Sequence, residues 1–257
     1  MPPTRSFRKA PLLTVVLMCY LLSVGDTLTP LTRPSRDSKN LLILGFGNVG
    51  KDVASCCFAT EQFQQIFGTI RAKAKNENSE KDLSDPSSVI RVPVQSADLS
   101  LILPTCTHVL VTIPPPKEIN EMAHLDGVFG EIVQSIPEQS WIGIISTTGV
   151  YGDHNGSWVD EDSELLCQEN STASAFRDFE TKWQRRVLQC NRDHSLFIFR
   201  CAGIYGPDRS AIHTVVKKGL AASDKKQNVS LPPTTNKGIS ITNRIHVRDI
   251  AITIQQA

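Results

Sequence analysis

An apolar run that leads straight into a glycine triplet constrains this chain more than any other feature. Leu41-Leu42-Ile43-Leu44 is followed by Gly45-Phe46-Gly47-Asn48-Val49-Gly50. In a strand-turn-helix of this spacing the first glycine permits the tight turn off the strand. The second lets backbone approach a pyrophosphate, and the third lets the helix pack close to the sheet. The positive end of that helix then faces the anion. Gly45, Phe46, Gly47, Asn48, Val49 and Gly50 are therefore candidate dinucleotide-binding residues. A glycine triplet alone also suits ordinary turn chemistry; the flanks favour the dinucleotide.

The end of the second strand bears on which dinucleotide is held. About twenty residues past the glycines an NAD site carries an acid for the ribose 2'-hydroxyl, whereas a 2'-phosphate needs cationic donors. Residues 66–70 read as that strand, and Arg71-Ala72-Lys73-Ala74-Lys75 follows with no acid before Glu77. The expectation is NADP(H) rather than NAD, with Arg71 as the main phosphate ligand and Lys73 beside it. A solvated basic turn is the competing reading.

Composition fits a globular α/β chain. Of 257 residues, 40% are hydrophobic and 21% charged, which leaves room for one large or two small domains. A net charge of +1 gives no basic field for nucleic acid. The seven cysteines include the adjacent Cys56 and Cys57 but no Cys-x-x-Cys spacing, and they read as small buried apolar residues. His108, His124, His154, His194, His213 and His246 lack the short paired spacing of a metal site.

Residues 1–39 follow a different grammar. Arg5, Arg8 and Lys9 precede a mainly apolar run over 12–24, with Ser23-Val24-Gly25 at the positions a signal peptidase reads. The run is too short for a membrane span. Residues 27–39 are rich in Thr, Ser, Pro and Arg, as in a transit peptide. Signal plus transit-like segment resembles the bipartite leader of a secondary plastid; secretion and a signal anchor are the alternatives. Asn155, Asn170 and Asn228 head glycosylation triplets that matter only in the secretory lumen.

From residue 40 onward strand-like and helix-like segments alternate, the pattern of a doubly wound parallel sheet. A first helix lies within 49–67, and 76–88 is a polar loop. Residues 89–94 read as a third strand and 107–113 as a fourth, stopped by Pro114-Pro115-Pro116. A crossover helix over 119–136 and a fifth strand over 141–145 follow. Right-handed crossovers bring the loops after strands one, four and five to one edge, where ligands bind. Ile113 and Pro114 become candidate cofactor neighbours at that edge.

Three further blocks stand downstream: Ser146-Thr147-Thr148-Gly149-Val150-Tyr151-Gly152, Arg200-Cys201-Ala202-Gly203-Ile204-Tyr205-Gly206-Pro207-Asp208-Arg209, and Asn243-Arg244-Ile245-His246-Val247-Arg248-Asp249-Ile250. With the glycine triplet, these blocks in this order resemble the extended short-chain dehydrogenase/reductase family, in its atypical epimerase/dehydratase-like branch. The resemblance spans residues 40–257. It implies a Rossmann domain with a small C-terminal substrate part from about residue 203. It also implies a small-molecule substrate, such as a sugar nucleotide or related carbonyl compound, and a homodimer paired through a helix near 172–190. Thr147 matches the substrate-facing hydroxyl. Thr148 and Arg209 fall on the substrate side, the latter as a planar fork for phosphate, and Tyr205 lines the nicotinamide.

The chain departs from that pattern in its acid/base pair. The family's chemistry uses a tyrosine and a lysine four residues apart on one helix face. Here the residues four positions after Tyr20, Tyr151 and Tyr205 are Val24, Asn155 and Arg209. With Glu180 as landmark, Thr172 takes the tyrosine position and Phe176 the lysine position. A threonine hydroxyl is far too weak an acid to replace a phenol. Tyr151, with Lys182 or Arg177 nearby, and Thr147 are the candidate catalytic surrogates; packing and local backbone bonding are their alternatives. His246 and Asp249 read as a structural brace. Family members continue well beyond the His-Val-x-Asp block, so the substrate part is expected to be short or cut off. Two functions follow: an NADP(H)-dependent oxidoreductase or epimerase with non-standard acid/base groups, or a dinucleotide-binding sensor or partner-binding protein without turnover.

Overall fold

The computed structural model describes residues 39–70, 89–93, 97–116, 119–190, 192–207, 209 and 243–257. Arg71, Lys73 and nearly all of the leader lie outside the described residues.

The described elements begin with β1 (Asn40–Leu44), α1 (Asn48–Ala59) and β2 (Gln65–Ile70), then β3 (Val89–Pro93), α2 (Ala97–Ile102) and β4 (His108–Val111). It continues through α3 (Ile119–Ser135), β5 (Trp141–Thr147), α4 (Thr172–Gln189) and β6 (Ser195–Cys201). The last described elements are β7 (Gly203–Tyr205), β8 (Arg244–His246) and α5 (Val247–Gln256). Six parallel strands form one sheet in the order β3-β2-β1-β4-β5-β6. The order reverses between β1 and β4, the switch point at which open α/β sheets bind ligands.

Side-chain alternation explains why both faces are covered. Leu42, Leu44, Val109 and Val111 point to one side and pack with Phe129 and Ile132 of α3 and Phe179 and Trp183 of α4. Their neighbours Leu41, Ile43 and Leu110 point to the other, against Val53 of α1 and Ile250 and Ile254 of α5. All five residues of β1 are buried, as expected of a central parallel strand. A second, two-stranded sheet pairs β7 with β8 in parallel.

Strands one to five stand where the apolar runs predict, with the third and fourth shorter and the fifth longer. β6, α2 and α5 have no counterpart in the predicted elements. The fourth strand stops at Val111, three residues before the first of the prolines. At α4 a capping box sets the start: Ser174 N–H donates to Ser171 Oγ at 3.0 Å, and Ser171 N–H to Ser174 Oγ at 3.0 Å. Phe179, Trp183 and Val187 then bury one face of that helix at helical spacing. Among the described residues no helix is long and apolar enough to cross a membrane, and no cluster of three or more His, Cys, Asp or Glu could hold a metal. The described cysteines are all free thiols, and burial pushes Cys57, Cys106 and Cys201 up to about 12.

Candidate dinucleotide site at the carboxyl edge

The glycine turn joins β1 to α1 at the switch point. Gly45 has φ +91°, and a Cβ there would sit 2.7 Å from Ile113 Cγ1, so the turn takes glycine for both backbone and space. Its N–H donates to Thr69 Oγ1 at 2.9 Å, while the Thr112 hydroxyl donates to the Gly45 carbonyl. Thr112 N–H donates to Leu44 O at 2.9 Å. The turn is thus held from both neighbouring strands, by a threonine at the end of β2 and another just past β4. Neither threonine is among the residues predicted from the sequence, whose glycine spacing carries no information about its flanking strands.

Gly50 fills its predicted role: a Cβ would fall 2.9 Å from Gly45 O and 3.0 Å from Ile43 Cγ2, so only glycine lets α1 start this close to β1. Gly47 is different. A Cβ there meets nothing within 4 Å, and the residue is exposed, so open space lies over the turn. Gly47 is also the N-cap of α1, with no side-chain cap and no acid in the first turn. The helix therefore presents its first N–H groups and positive end to that space, which fits an anionic pyrophosphate. Phe46 is 9% exposed and its ring lies on Gly68, where a Cβ would sit 2.6 Å from Phe46 Cδ2. Asn48 and Val49 open the helix beside it. Pro114 is exposed on the facing loop and Ile113 is half-buried against the turn.

The fifth strand brings its threonines to the same edge. Thr147 pairs in register with Cys201, and its Oγ1 accepts the Gly149 N–H at 3.1 Å, capping a single helical turn over Thr148–Tyr151. Both Thr147 and Thr148 are half-buried. The turn packs against α4, since a Cβ at Gly149 would come 3.5 Å from that of Ala173. Thr172 is the first residue of α4 and is exposed; Phe176, one turn on, is half-buried.

Tyr151 is 8% exposed, and its hydroxyl accepts from Arg200 Nη1 at 3.0 Å. The guanidinium carbon lies 5.0 Å from the ring centroid. Its cationic neighbour is therefore Arg200 of β6, not Lys182 or Arg177. Arg177 is committed at the surface to Glu169, at 2.7 Å, and Asp178. Arg200 also pairs with Glu180, which accepts the Ser146 hydroxyl as well. Burial works against the Arg200 charge, but the oxygens of Glu180 and Tyr151 outweigh it and hold the guanidinium above its ordinary value. In the sequence Glu180 is only a landmark, because its spacing carries no sign of a partner twenty residues away.

Beyond β6, Tyr205 is 44% exposed and its ring meets His246 edge-on, centroids 5.0 Å apart. Arg209 is exposed, its N–H donating to Gly206 O at 3.1 Å.

No protein-family model matches the sequence, and no curated protein does. Solved structures do. A protein from Methylobacillus flagellatus described as an NAD-dependent epimerase/dehydratase is 22% identical, with a TM-score of 0.51 over 84% of this chain and 67% of its own. The dTDP-glucose 4,6-dehydratase of Bacillus anthracis, in complex with NAD, is 17% identical, with a TM-score of 0.60 over 83% and 69%. The UDP-N-acetylglucosamine 4-epimerase of Methanobrevibacter ruminantium is 17% identical, with a TM-score of 0.55 over 84% and 71%. At these identities the likeness establishes architecture alone: the chain has a Rossmann-type α/β fold.

Proposed function

We propose that the chain binds a nicotinamide dinucleotide at the carboxyl edge between β1 and β4. There it acts as an oxidoreductase or epimerase on a sugar nucleotide or related carbonyl compound. The observation that carries the reading is the Gly45–Gly50 turn, clamped by Thr69 and Thr112 beneath open space and an uncapped helix start. That the Bacillus anthracis neighbour was crystallised with NAD supports a dinucleotide. Preference for NADP(H) rests on Arg71 and Lys73 in place of an acid. When bound, the group supplies hydride exchange at its nicotinamide. The backbone of residues 45–50 holds its pyrophosphate, Ile113 and Pro114 flank it, and Thr147, Thr148 and Arg209 face the substrate. The leader supports a plastid address, and we assign the chain to a homodimer paired through α4.

A second reading, binding without turnover, draws on one observation: α4 carries Thr172 and Phe176 where the family's tyrosine and lysine belong. A side-by-side titration of NADPH and NADH on the full chain, with Arg71→Glu beside wild type, tests the first reading. NADPH binding at least about tenfold tighter, lost in the variant, is expected, since one charge-assisted contact contributes on the order of 1.4 kcal/mol or more. Equal affinities would remove the NADP preference, and no binding of either would remove the cofactor role.

A further inference from the structure

The absent tyrosine-lysine pair leaves a proton unaccounted for, and the described residues contain two phenols. Tyr151 is buried, and its hydroxyl already accepts from Arg200. Tyr205 is 44% exposed. Strand alternation orients it: Ile204 and Ile245, a register pair, pack on the apolar cluster under α1 and α5. Tyr205 and His246, the next register pair, therefore share the opposite face of the small sheet. Their rings meet edge to face at 5.0 Å and 77°. His246 is itself fixed. Its Nδ1 accepts the Arg248 N–H at 3.2 Å as the N-cap of α5, which leaves the neutral ring's proton on Nε2. Gly206 brings the strand close, since a Cβ there would meet Val247 Cγ1 at 2.7 Å.

Position agrees with chemistry. Tyr205 lies four residues beyond Cys201, the end of β6, and Cys201 pairs in register with Thr147. Four residues span at most about 14 Å, so the phenol is tethered to the edge that carries Gly45, Thr112 and Thr147.

We propose that Tyr205 is the proton-transferring phenol of this chain and that His246 is its positioning residue, together replacing the tyrosine-lysine pair lost from α4. The assignment rests on the enzyme reading given above. In reduction the Tyr205 O–H bond breaks and its proton goes to the substrate carbonyl oxygen, as the carbonyl carbon gains a hydride from the reduced dinucleotide. In oxidation the phenolate takes the hydroxyl proton as that carbon's hydride leaves to the oxidised form. Exposure of Tyr205 lets solvent restore its proton between turnovers.

The test uses the full chain as wild type, Tyr205→Phe, Tyr151→Phe, His246→Asn and His246→Phe. Binding of NADH and NADPH is titrated first. Turnover is then followed by nicotinamide absorbance with UDP-glucuronate, UDP-N-acetylglucosamine and dTDP-glucose. Tyr205→Phe is expected to keep dinucleotide affinity within about threefold and to lower kcat about 100-fold with KM little changed, the scale of a lost general acid. Tyr151→Phe should lose less than about tenfold, because its hydroxyl serves Arg200. His246→Asn keeps a cap acceptor without the ring and should lower kcat about tenfold, whereas His246→Phe should restore most of it. Near-wild-type turnover by Tyr205→Phe overturns the proposal while leaving the dinucleotide reading intact; full activity of His246→Asn overturns the positioning role. If wild type binds dinucleotide but turns over none of the three, the 13Cζ resonance of Tyr205 is the readout. It should move on adding NAD+ with UDP-glucuronate while that of Tyr151 stays, and a still Tyr205 signal overturns the assignment. Failure of wild type to bind either dinucleotide overturns both readings together.

Discussion

Glu180 of α4 and Arg200 of β6 form an ion pair at 2.9 Å with only 3% and 18% of their side chains exposed. The pair spans helix and sheet, and it is completed by two hydroxyls: Ser146 donates to Glu180, and Tyr151 accepts from Arg200. All four residues come from β5, its following turn, α4 and β6, so the group ties the carboxyl end of the sheet to the helix that covers it.

Removing one member of such a group is costlier than never having built it, because the partner charge stays buried. Glu180→Ala is expected to lower unfolding free energy by about 3 kcal/mol, read by urea denaturation at neutral pH. Glu180→Gln, which keeps an acceptor for Ser146, should lose less. Equal stability of wild type and Glu180→Ala would show that solvent reaches Arg200 freely.

Gly68 lies beneath the Phe46 ring, and a Cβ at that position would meet Phe46 Cδ2 at 2.6 Å and Cγ at 2.7 Å. The near end of a ring cannot swing aside, so Gly68→Ala is expected to cost about 1–3 kcal/mol. It should also weaken NADH binding by displacing the glycine turn. Phe46→Ala in the same chain should recover much of the stability, because the added methyl then has room. A double-mutant cycle without coupling would disprove the contact.

Thr69 is 1% exposed and accepts the Gly45 N–H. Thr69→Val keeps the shape and strips the acceptor, leaving that N–H unsatisfied at a cost of about 1–3 kcal/mol. Amide exchange at Gly45 is the direct check: its protection should fall more than that of Leu42 in the strand behind it.

Acid should destabilise the chain through its histidines. Burial, and after it the charge of Lys39, pushes the His108 imidazole from 6.5 down to about 4. Burial is also the largest influence on His194 and lowers it; its Nδ1 accepts the Ser140 N–H, a bond that protonation would break. Between pH 6.5 and about 4 the unfolded chain binds a proton at position 108 that the folded chain refuses. Stability is therefore complete above pH 6.5 and falls as the pH drops through that window. Allowing for partial exposure, His108 accounts for about 1–2 kcal/mol of the loss. Denaturation curves at pH 7 and 4.5 should differ by at least that amount in wild type and by less in His108→Gln.

How far the sequence speaks depends on the range of each interaction. The first five strands and the glycine turn are written in local patterns: apolar runs, three glycines at fixed spacing, prolines after β4. Gly45 and Gly50 have the conformational and spatial demands their spacing predicts. β6 lies outside the predicted elements although Leu196, Phe197, Ile198 and Phe199 are consecutive apolar residues, because so short an apolar run has no periodicity of its own. Long-range partners were out of reach altogether. Thr69 and Thr112 meet Gly45 from 24 and 67 residues away, and the cation on Tyr151 comes from 49 residues downstream. Such pairings are decided by strand order, which no local window contains.

The central place of β1 has a consequence for how the protein is made. β1 is synthesised first but flanked by β2 and β4, so its two edges are satisfied at different times. While the chain emerges from the ribosome, Gly45 gains its β2-side anchor some twenty-four residues later and its β4-side anchor only after Thr112 appears. Until then one edge of a strand with four consecutive apolar residues stands open to any other extended chain. Nascent chains that pause before residue 112 are thus the ones most in need of a chaperone.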